Sequence, residues 1–246
     1  MEQNTTKVAL VTGASRGIGM AVAERLARDG FKLVINYSGD AAPAEELVRR
    51  LEGAGAQAIA VKADVSDPHA VREMFDAVET RFGGLDVLVN NAGIMALASI
   101  AETDDAAFDR HVAVNLKGTF NTLREAAKRL RGGGRIINFS SSVVARLIPG
   151  YGAYTATKAA VDVLTSILAK ELRGRNITVN AVAPGPTATD LFLKGKPQEV
   201  VDSLAKMAPL ERLGQPSDIA DVVSFLAGPD AAWVNGQVLR VNGGII

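Results

Sequence analysis

The sequence predicts an α/β fold: a single Rossmann-like, doubly wound parallel sheet of about seven strands with helices on both faces. Short β-branched runs alternate with longer amphipathic stretches along the chain, and repeated strand–helix–strand units are typical of parallel sheets with right-handed crossovers. The strand segments are nearly continuous apolar runs, which suits a sheet that is covered on both faces. No linker, low-complexity tract or strong internal repeat interrupts the 246 residues, so we expect one domain, residues 1–246.

The predicted elements follow from the spacing of apolar residues. Strands are expected at residues 7–12, 32–37, 57–63, 85–90, 135–139, 177–182 and 238–241. Helices are expected at residues 17–29, 43–52, 68–82, 103–131 and 152–173. Gly30 and the pair Gly83 and Gly84 stand where helices should end. The segment 187–215 is long for a connection, so we expect it to be a mobile lid.

Composition restricts the classes of function. Lys and Arg number 27 and Asp and Glu number 27, so the charge balance predicts no general attraction to nucleic acid or to an anionic membrane. The chain has no cysteine, which excludes disulfides, thiolate nucleophiles and cysteine metal sites, and we predict no metal site. The first six residues are polar, and no apolar run approaches the ~20 residues that span a bilayer. We therefore expect a cytoplasmic protein without a signal peptide.

A glycine-rich loop follows the first predicted strand, at residues 12–19 (TGASRGIG). Glycines allow a tight turn and a close approach to a pyrophosphate, and the following helix N-terminus offers free N–H groups. The spacing is Gly-x3-Gly-x-Gly, which differs from the dinucleotide fingerprint Gly-x-Gly-x2-Gly. The alternative is a plain tight turn. The residues predicted to bind a cofactor here are Gly13, Ser15, Arg16, Gly17, Ile18 and Gly19.

The same loop also matches Gly-x-Ser-x-Gly, the nucleophile elbow of serine hydrolases. Such an enzyme needs an acid and then a histidine later in the chain. The only histidines are His69 and His111, both within predicted helices, and none follows His111. The hydrolase interpretation is therefore a remote alternative.

The end of the second predicted strand indicates which dinucleotide is bound. An acidic residue there would bind the ribose hydroxyls of NAD, but the strand ends in Asn36, Tyr37 and Ser38, with no carboxylate until Asp40. Arg16 can reach the same corner and would bind a 2′-phosphate. Charge-assisted hydrogen bonds contribute ~1.5–3 kcal/mol each, so these differences favour NADP(H) over NAD(H) by about a hundredfold. Alternatively, residues 36–38 only turn the chain.

Tyr154 and Lys158 are four residues apart on a predicted helix and share a face. A lysine cation favours the phenolate and lowers the tyrosine pKa from its ordinary value near 10, so the pair could exchange a proton at neutral pH. More commonly, a tyrosine and a lysine at this spacing on a helix are simply solvated and have no catalytic role. Three predicted strands nevertheless end in candidate site segments, at residues 90–93 (NNAG), 140–142 (SSS) and 184–185 (PG), where doubly wound folds place their sites.

Together these motifs resemble the classical short-chain dehydrogenase/reductase family. The matching segments are TGASRGIG at 12–19, NNAG at 90–93, YTATK at 154–158 and APGPTAT at 183–189. They occur in the family's order and span nearly the whole chain, and the Gly-x3-Gly-x-Gly spacing is the family's own variant. The resemblance implies the predicted fold and an NADP(H)-dependent interconversion of a ketone or aldehyde with an alcohol by hydride transfer.

The resemblance also implies four catalytic roles. Tyr154 would be the general acid in reduction and the general base in oxidation, and Lys158 would hold the nicotinamide ribose and lower the tyrosine pKa. Ser141, thirteen residues before the tyrosine, would hold the substrate oxygen, with Ser142 as the runner-up. Asn115 would support a proton-relay water, or else only kink its helix.

Further cofactor contacts follow from the same resemblance. Asp64 and Val65 match the pair that holds adenine, and Thr187 and Thr189 would hold the carboxamide and pyrophosphate side. The other residues assigned to the cofactor are Asn91, Ala92, Gly93, Pro184 and Gly185. Ser142 and Tyr151 are assigned to the substrate pocket; Tyr151 has no lysine four residues on.

The substrate is predicted only as a small carbonyl compound or alcohol. Residues 234–244 look like the ending of 3-oxoacyl-carrier-protein reductases, which are the alternative within the family; the segments near 35 and at 133–136 also resemble fungal hydroxynaphthalene reductases. A carrier-protein reductase would need a basic surface near the mouth of its pocket. That surface could be supplied by Arg129, Arg131, Arg173 and Arg175. A non-catalytic cofactor-binding protein is a remote alternative.

We expect a homotetramer, and a homodimer is the second possibility. The predicted helices 103–131 and 152–173 carry more apolar surface than one sheet face covers. The second has small or branched residues on more than one stripe, at Ala156, Ala159, Ala160, Val163 and Ile167. Such residues allow a helix to pack against its own copy across a two-fold axis. The resemblance implies a second interface at residues 241–246; alternatively, the spare helix face packs under the lid.

Overall fold

The central sheet has seven parallel strands in the order β3-β2-β1-β4-β5-β6-β7. In the computed structural model, which describes residues 6–246, the strands are β1 Val8–Val11, β2 Lys32–Tyr37, β3 Ala58–Lys62, β4 Leu85–Asn90, β5 Leu130–Phe139, β6 Thr178–Pro184 and β7 Val238–Val241. The doubly wound parallel sheet predicted from the sequence is confirmed. Residues 1–5, on which the expected absence of a signal peptide largely rests, lie outside the described residues.

The helices lie on both faces of this sheet. They are α1 Gly17–Arg28, α2 Ala42–Gly53, α3 Pro68–Phe82, α4 Asp105–His111, α5 Gly118–Arg129, α6 Val143–Arg146, α7 Gly152–Glu171, α8 Asp190–Leu193, α9 Gln198–Lys206 and α10 Pro216–Ala227. A π-helical segment, Val112–Lys117, joins α4 to α5. In the part of the chain that is described, no helix has the length and apolar character needed to cross a membrane.

Alternation along the strands divides the buried core between the two faces. In β1, Ala9 and Val11 belong to a cluster with α1, α2 and α10, whereas Val8 and Leu10 belong to a cluster with α3, α5 and α7. Side chains of successive strand residues point to opposite faces, so each strand contributes to both clusters. This arrangement explains the continuous apolar runs in the sequence.

Four parts of the chain differ from the sequence-based prediction. The stretch 103–131 is two helices with a π-helical segment between them, and β5 begins at Leu130 rather than residue 135. The helix α10 was not predicted. The segment 187–215 contains α8 and α9, and its two ends are joined by a bridge between Thr187 and Gly214.

The strand order sets the position of the site. From β1 the chain proceeds to β2 and β3 on one side and then returns to β4 on the other. The connections after β1 and β4 therefore diverge, which opens a crevice at the carboxyl ends of these strands.

Candidate active site

The glycine loop after β1 has no room for side chains at two positions. A Cβ on Gly13, whose φ is +61°, would lie 2.9 Å from the Cα of Ala92. A Cβ on Gly19 would lie 2.5 Å from the Nδ2 of Asn91 and 2.6 Å from the carbonyl oxygen of Gly13. The loop therefore needs glycine because its backbone packs directly on the segment after β4.

The first turn of α1 is available to an anion. The helix begins at Gly17, its N-cap residue Arg16 makes no side-chain cap, and the first turn contains no acidic residue. Free N–H groups and the positive end of the helix dipole suit a pyrophosphate. Together with the glycine cradle, this turn fits the dinucleotide that the sequence predicts.

Thr12 and Asn91 hold the two cofactor segments together. The Nδ2 of Asn91 donates to the carbonyl oxygens of Thr12 at 2.9 Å and Gly13 at 3.0 Å. The Oγ1 of Thr12 accepts hydrogen bonds of 3.0 Å from the backbone N–H groups of both Asn91 and Ala92. Asn91 therefore holds the glycine loop in place. Thr12, which was not among the predicted site residues, holds the segment after β4 in return.

Asn36 has a supporting position at the end of β2. Its side chain is buried; Oδ1 accepts from the N–H of Gly13 at 3.2 Å, and Nδ2 donates to the carbonyl oxygen of Ala63 at 3.0 Å. Because both polar atoms of this side chain are hydrogen-bonded within the protein, it would contact a cofactor less directly than predicted. Ser38 and Arg16 are exposed and Tyr37 is half-buried.

Asp64 and Val65 follow β3 as a turn. The Oδ1 of Asp64 accepts from the backbone N–H of Ser66 at 2.9 Å and from its hydroxyl at 2.8 Å. Val65 is buried, and its carbonyl oxygen accepts a 2.9 Å hydrogen bond from Asn121. These bonds fix the turn at the same edge of the sheet as the glycine loop.

A cleft lies at the carboxyl ends of β4, β5 and β6. Twelve of the predicted site residues line it: Ile18, Asn91, Gly93, Ser141, Ser142, Tyr151, Tyr154, Lys158, Pro184, Gly185, Thr187 and Thr189. The other lining side chains that matter for a substrate were not predicted; they are Ile94, Met95, Val143, Arg146, Ile148, Leu191, Phe192 and Leu204. The sequence therefore located the polar centre of the cleft but not its apolar wall.

Tyr154 and Lys158 lie together in this cleft on α7. The lysine Nζ is 5.7 Å from the centroid of the tyrosine ring and donates a 2.8 Å hydrogen bond to the carbonyl oxygen of Phe139. Burial lowers the pKa of Lys158 to about 8, and the charge of Asp162 opposes this shift. The expected side-by-side geometry is present, and the ammonium is positioned by the last residue of β5.

The pKa of Tyr154 is raised, whereas the sequence led us to expect a lowered pKa. Burial raises it to about 12, and the hydroxyl of Ser141, a hydrogen-bond partner of the phenol, acts in the opposite direction. The lowered pKa expected from the lysine is therefore wrong for this structure, because the loss of hydration on burial outweighs the opposing effect of the Ser141 hydroxyl. A phenol in this state keeps its proton throughout the neutral range.

The two candidate serines have different surroundings. The Oγ of Ser142 is buried, donates to the carbonyl oxygen of Ala183 at 3.0 Å and accepts from the Nδ2 of Asn242 at 3.2 Å. The Oγ of Ser141 accepts a long, 3.4 Å hydrogen bond from the N–H of Val143 and faces Tyr154. The geometry therefore favours Ser141 for contact with a ligand.

Asn115 is fully buried within the π-helical segment. Its Oδ1 accepts from the N–H of Ile94 at 2.8 Å, and its Nδ2 donates to the carbonyl oxygen of Ile94 at 2.9 Å and to the hydroxyl of Thr157 at 3.3 Å. A Cβ on Gly93 would lie 3.2 Å from this Oδ1 and 3.6 Å from the Nζ of Lys158. Asn115 therefore fixes the loop after β4 against α7.

A chain of buried polar side chains lies beneath the cleft and was not predicted. Thr122 donates to Asn90 at 2.7 Å, Asn90 to Asn138 at 2.9 Å, and Asn138 to Thr165 at 2.9 Å. These bonds connect α5, β4, β5 and α7. Polar residues inside apolar strands, at positions 90 and 138, were the available signal.

Neither histidine belongs to the site. His111 is buried; its Nε2 accepts from the N–H of Ala96 at 3.1 Å, and its Nδ1 lies 2.8 Å from the carbonyl oxygen of Ala107. His69 is on α3, beside Glu73. Ser15 thus has no histidine partner from either residue, and the hydrolase interpretation lacks its catalytic base.

The arginines proposed for a carrier protein lie at the wrong end of the sheet. Arg129 pairs with Asp76 at 2.6 Å, Arg131 pairs with Asp86 at 2.9 Å, and Arg175 donates to carbonyl oxygens of the segment before and within β5. With Arg173 they surround the amino-terminal ends of β5 and β6, whereas the cleft is at the carboxyl ends. The expectation that they lie near the pocket mouth is wrong.

Comparisons with known proteins agree with this geometry. A family model described as enoyl-(acyl carrier protein) reductase matches residues 13–246. A short-chain type dehydrogenase/reductase of Picea abies is 52% identical over 97% of this chain and 92% of its own length. An NADPH-dependent aldehyde reductase-like chloroplastic protein of Arabidopsis thaliana is 47% identical over 98% of this chain and 94% of its own.

Solved structures agree as well. A short-chain dehydrogenase from Burkholderia cenocepacia J2315, determined in complex with NADP, has a TM-score of 0.93 and 39% identity, with 99% of each chain covered. The match extends over the sheet, the glycine loop and the cleft. By its sequence and its fold, this chain belongs to the short-chain dehydrogenase/reductase family of oxidoreductases.

Proposed function

We propose that this protein is an NADP(H)-dependent reductase of small aldehydes or ketones in which Tyr154 donates the proton. The observation that carries the proposal is the placement of Tyr154, Lys158 and Ser141 in one cleft that also contains residues of the glycine loop and of the segment after β6. The site can therefore bring a carbonyl, a proton donor and a dinucleotide together.

The cofactor is inferred from charge. Arg16 is exposed at the start of α1 and forms no ion pair within residues 6–246, and the residues that end β2 carry no carboxylate. An exposed guanidinium favours a 2′-phosphate, which a carboxylate would repel. The Arabidopsis relative is named NADPH-dependent, and the Burkholderia structure contains NADP; both support NADP(H) here.

The cleft residues act on the oxygen of the substrate. NADPH, when bound, supplies the hydride to the carbonyl carbon. Ser141 donates a hydrogen bond to the carbonyl oxygen, and Tyr154 transfers its proton to that oxygen as negative charge develops on it. Because burial raises the pKa of Tyr154 to about 12, the phenol is protonated before the reaction. Lys158 then stabilises the phenolate that remains, since its ammonium lies beside the ring.

The substrate class is inferred from the wall of the cleft. Met95, Ile148, Leu191 and Phe192 line it, and Leu191 and Phe192 come from the segment 187–215. An apolar wall around a polar centre suits a carbonyl carried on an apolar or aromatic group. We assign residues 187–215 as a lid over this substrate within one domain. With the arginines at the opposite end of the sheet, no observation favours an acyl-carrier-protein substrate.

The assembly is proposed to be a homotetramer. Helical residues with large exposed side chains form one candidate interface: Phe108, Phe120, Val163 and Ile167. A second is formed near β7 by Phe225, Trp233, Val238 and Ile246, of which Trp233 is 99% exposed. Exposed apolar groups of this size mark interaction surfaces. Light scattering should give about four times 25.7 kDa, and a monomer would contradict the proposal.

The cytoplasmic location stays a prediction. The Arabidopsis relative is named chloroplastic, so relatives of this chain occur in more than one compartment. Fractionation of the source cells, with detection by an antibody against this chain, would test it.

The activity is tested by NADPH oxidation, followed by absorbance, against a panel of aliphatic and aromatic aldehydes, ketones and a 3-oxoacyl thioester. We expect turnover of aldehydes or ketones and a higher kcat/KM with NADPH than with NADH. No turnover of any aldehyde or ketone would contradict the proposed function. Faster turnover of the thioester than of every small carbonyl would select the carrier-protein alternative.

A further inference from the structure

A half-buried carboxylate lies one helical turn beyond Lys158. Asp162 is four residues after the lysine on α7, so the two side chains share a face of that helix. Lys158 lines the catalytic cleft, whereas Asp162 lines an adjoining cavity with Arg240 of β7. Ser141 and Ser142 line both cavities, so the segment after β5 borders the cavity of Asp162 on one side and the reacting groups on the other.

Asp162 has little hydrogen-bond support of its own. Its Oδ1 is buried and has no hydrogen-bond partner among residues 6–246, and the same is true of the Oγ of Ser140. Burying an unsatisfied carboxylate is costly unless a cation compensates it. The cations that act on Asp162 are Lys158 and Arg240.

Burial shifts the pKa of Asp162 above its ordinary value, and the neighbouring cations oppose that shift. The groups that lower this pKa are the hydroxyl of Ser140 and the cations Lys158 and Arg240. In return, the carboxylate raises the pKa of Lys158, which burial lowers. The lining of the cavity, as far as the chain is described, includes no charged side chain other than Asp162 and Arg240.

We propose that Asp162 is a positioning residue that keeps Lys158 protonated beside Tyr154, through its place on the same face of α7 and its unpartnered carboxylate. Among residues 6–246 the ammonium has one hydrogen bond, to the backbone carbonyl of Phe139, and that neutral acceptor contributes no net charge. Asp162 supplies the missing negative charge from outside the cleft. This inference rests on the proposed function for its role in turnover, but the charge coupling itself does not.

The primary test measures the titration of Lys158 directly. Lysine labelled with 13C at Cε is followed by NMR between pH 6 and 11 in the cofactor-free full chain, and the Lys158 signal is identified by its loss in Lys158→Gln. We expect Asp162→Asn and Asp162→Ser to lower the midpoint by about one pH unit, a tenfold change in the protonation equilibrium. Two neutral variants are used so that the result does not depend on the folding of one.

Glu171→Gln is the matched control. It removes one negative charge from the exposed end of the same helix, so it should leave the Lys158 midpoint unchanged. An unchanged midpoint in both Asp162 variants, or an equal shift in Glu171→Gln, would overturn the proposal.

NADPH binding provides a second readout. In Asp162→Asn the affinity should match that of the unaltered protein at pH 6.5 and be several-fold weaker at pH 8.5, because the lysine then loses its charge earlier. A loss of affinity of the same size at every pH would indicate a structural role and contradict the inference. Absence of turnover with every carbonyl, together with the shifted Lys158 midpoint, would refute the proposed function and leave the charge coupling supported.

Discussion

Substitution of Gly19 by alanine should damage both the glycine loop and cofactor binding. The new Cβ would lie 2.5 Å from the Nδ2 of Asn91 and 2.6 Å from the carbonyl oxygen of Gly13. The Asn91 side chain can move only by giving up its hydrogen bonds to Thr12 and Gly13. The Gly13 carbonyl is backbone, so the loop itself must also shift.

The magnitude follows from these contacts. Two hydrogen bonds at ~0.5–1.5 kcal/mol each, with a further contribution from the displaced backbone, give a loss of about 2–4 kcal/mol in the free energy of unfolding. For a chain of this length each kcal/mol lowers Tm by about 2–4 °C, so a decrease of roughly 5–15 °C is expected. NADPH affinity should fall by at least about tenfold, which corresponds to ~1.4 kcal/mol.

Thermal unfolding and NADPH fluorescence titration measure the two effects. Gly39→Ala is the control, because a Cβ there meets nothing within 4 Å and the backbone is not in the left-handed region. That control should change stability by less than about 0.5 kcal/mol. If Gly19→Ala unfolds at the same temperature as Gly39→Ala and binds NADPH equally well, the packing argument for this loop is refuted.

Three other substitutions and one change of condition provide further tests. Asn138→Leu should lower the free energy of unfolding by about 2–4 kcal/mol, measured by urea denaturation, because it leaves Asn90 without its buried partner; an unchanged urea midpoint would count against the buried polar chain. NADPH affinity should be full below about pH 8 and fall as the pH rises through that value, because burial lowers the pKa of Lys158 to about 8; an affinity that is flat from pH 6 to 10 would contradict this. Arg16→Ala should reduce the ratio of kcat/KM for NADPH over NADH, and Tyr37→Asp should reverse it, whereas equal efficiency of both cofactors in the unaltered protein would remove the basis for the NADP(H) assignment.

The sequence predicted the elements whose apolar pattern is regular. All seven strands and the helices α1, α3 and α7 were located because their apolar residues recur at the spacing of one secondary structure. Gly83 adopts a left-handed conformation at the end of α3, as its position after the apolar pattern indicated. The missed helix α10 had readable signals as well: Pro216 near its start and a capping box between Gln215 and Asp218.

Other features were beyond the reach of local patterns. The π-helical segment around Asn115 depends on its tertiary contacts with Ile94 and Thr157, which periodicity does not report. The raised pKa of Tyr154 depends on burial by distant segments, so the neighbouring lysine alone led to the wrong direction. The apolar side chains of residues 187–215 lie in a segment without a regular repeat, and their place in the cleft required the fold.

The most direct test of the central claim is the activity of Tyr154→Phe. The phenylalanine keeps the ring that packs in the cleft and removes only the proton donor, so NADPH should bind as before while carbonyl reduction is lost. Tyr151→Phe, which alters another phenol of the same cleft, should be much milder. Single-turnover NADPH oxidation with the best carbonyl of the panel decides between the outcomes: loss of all but a few per cent of the rate in Tyr154→Phe is predicted, and a rate close to that of the unaltered protein would contradict the account.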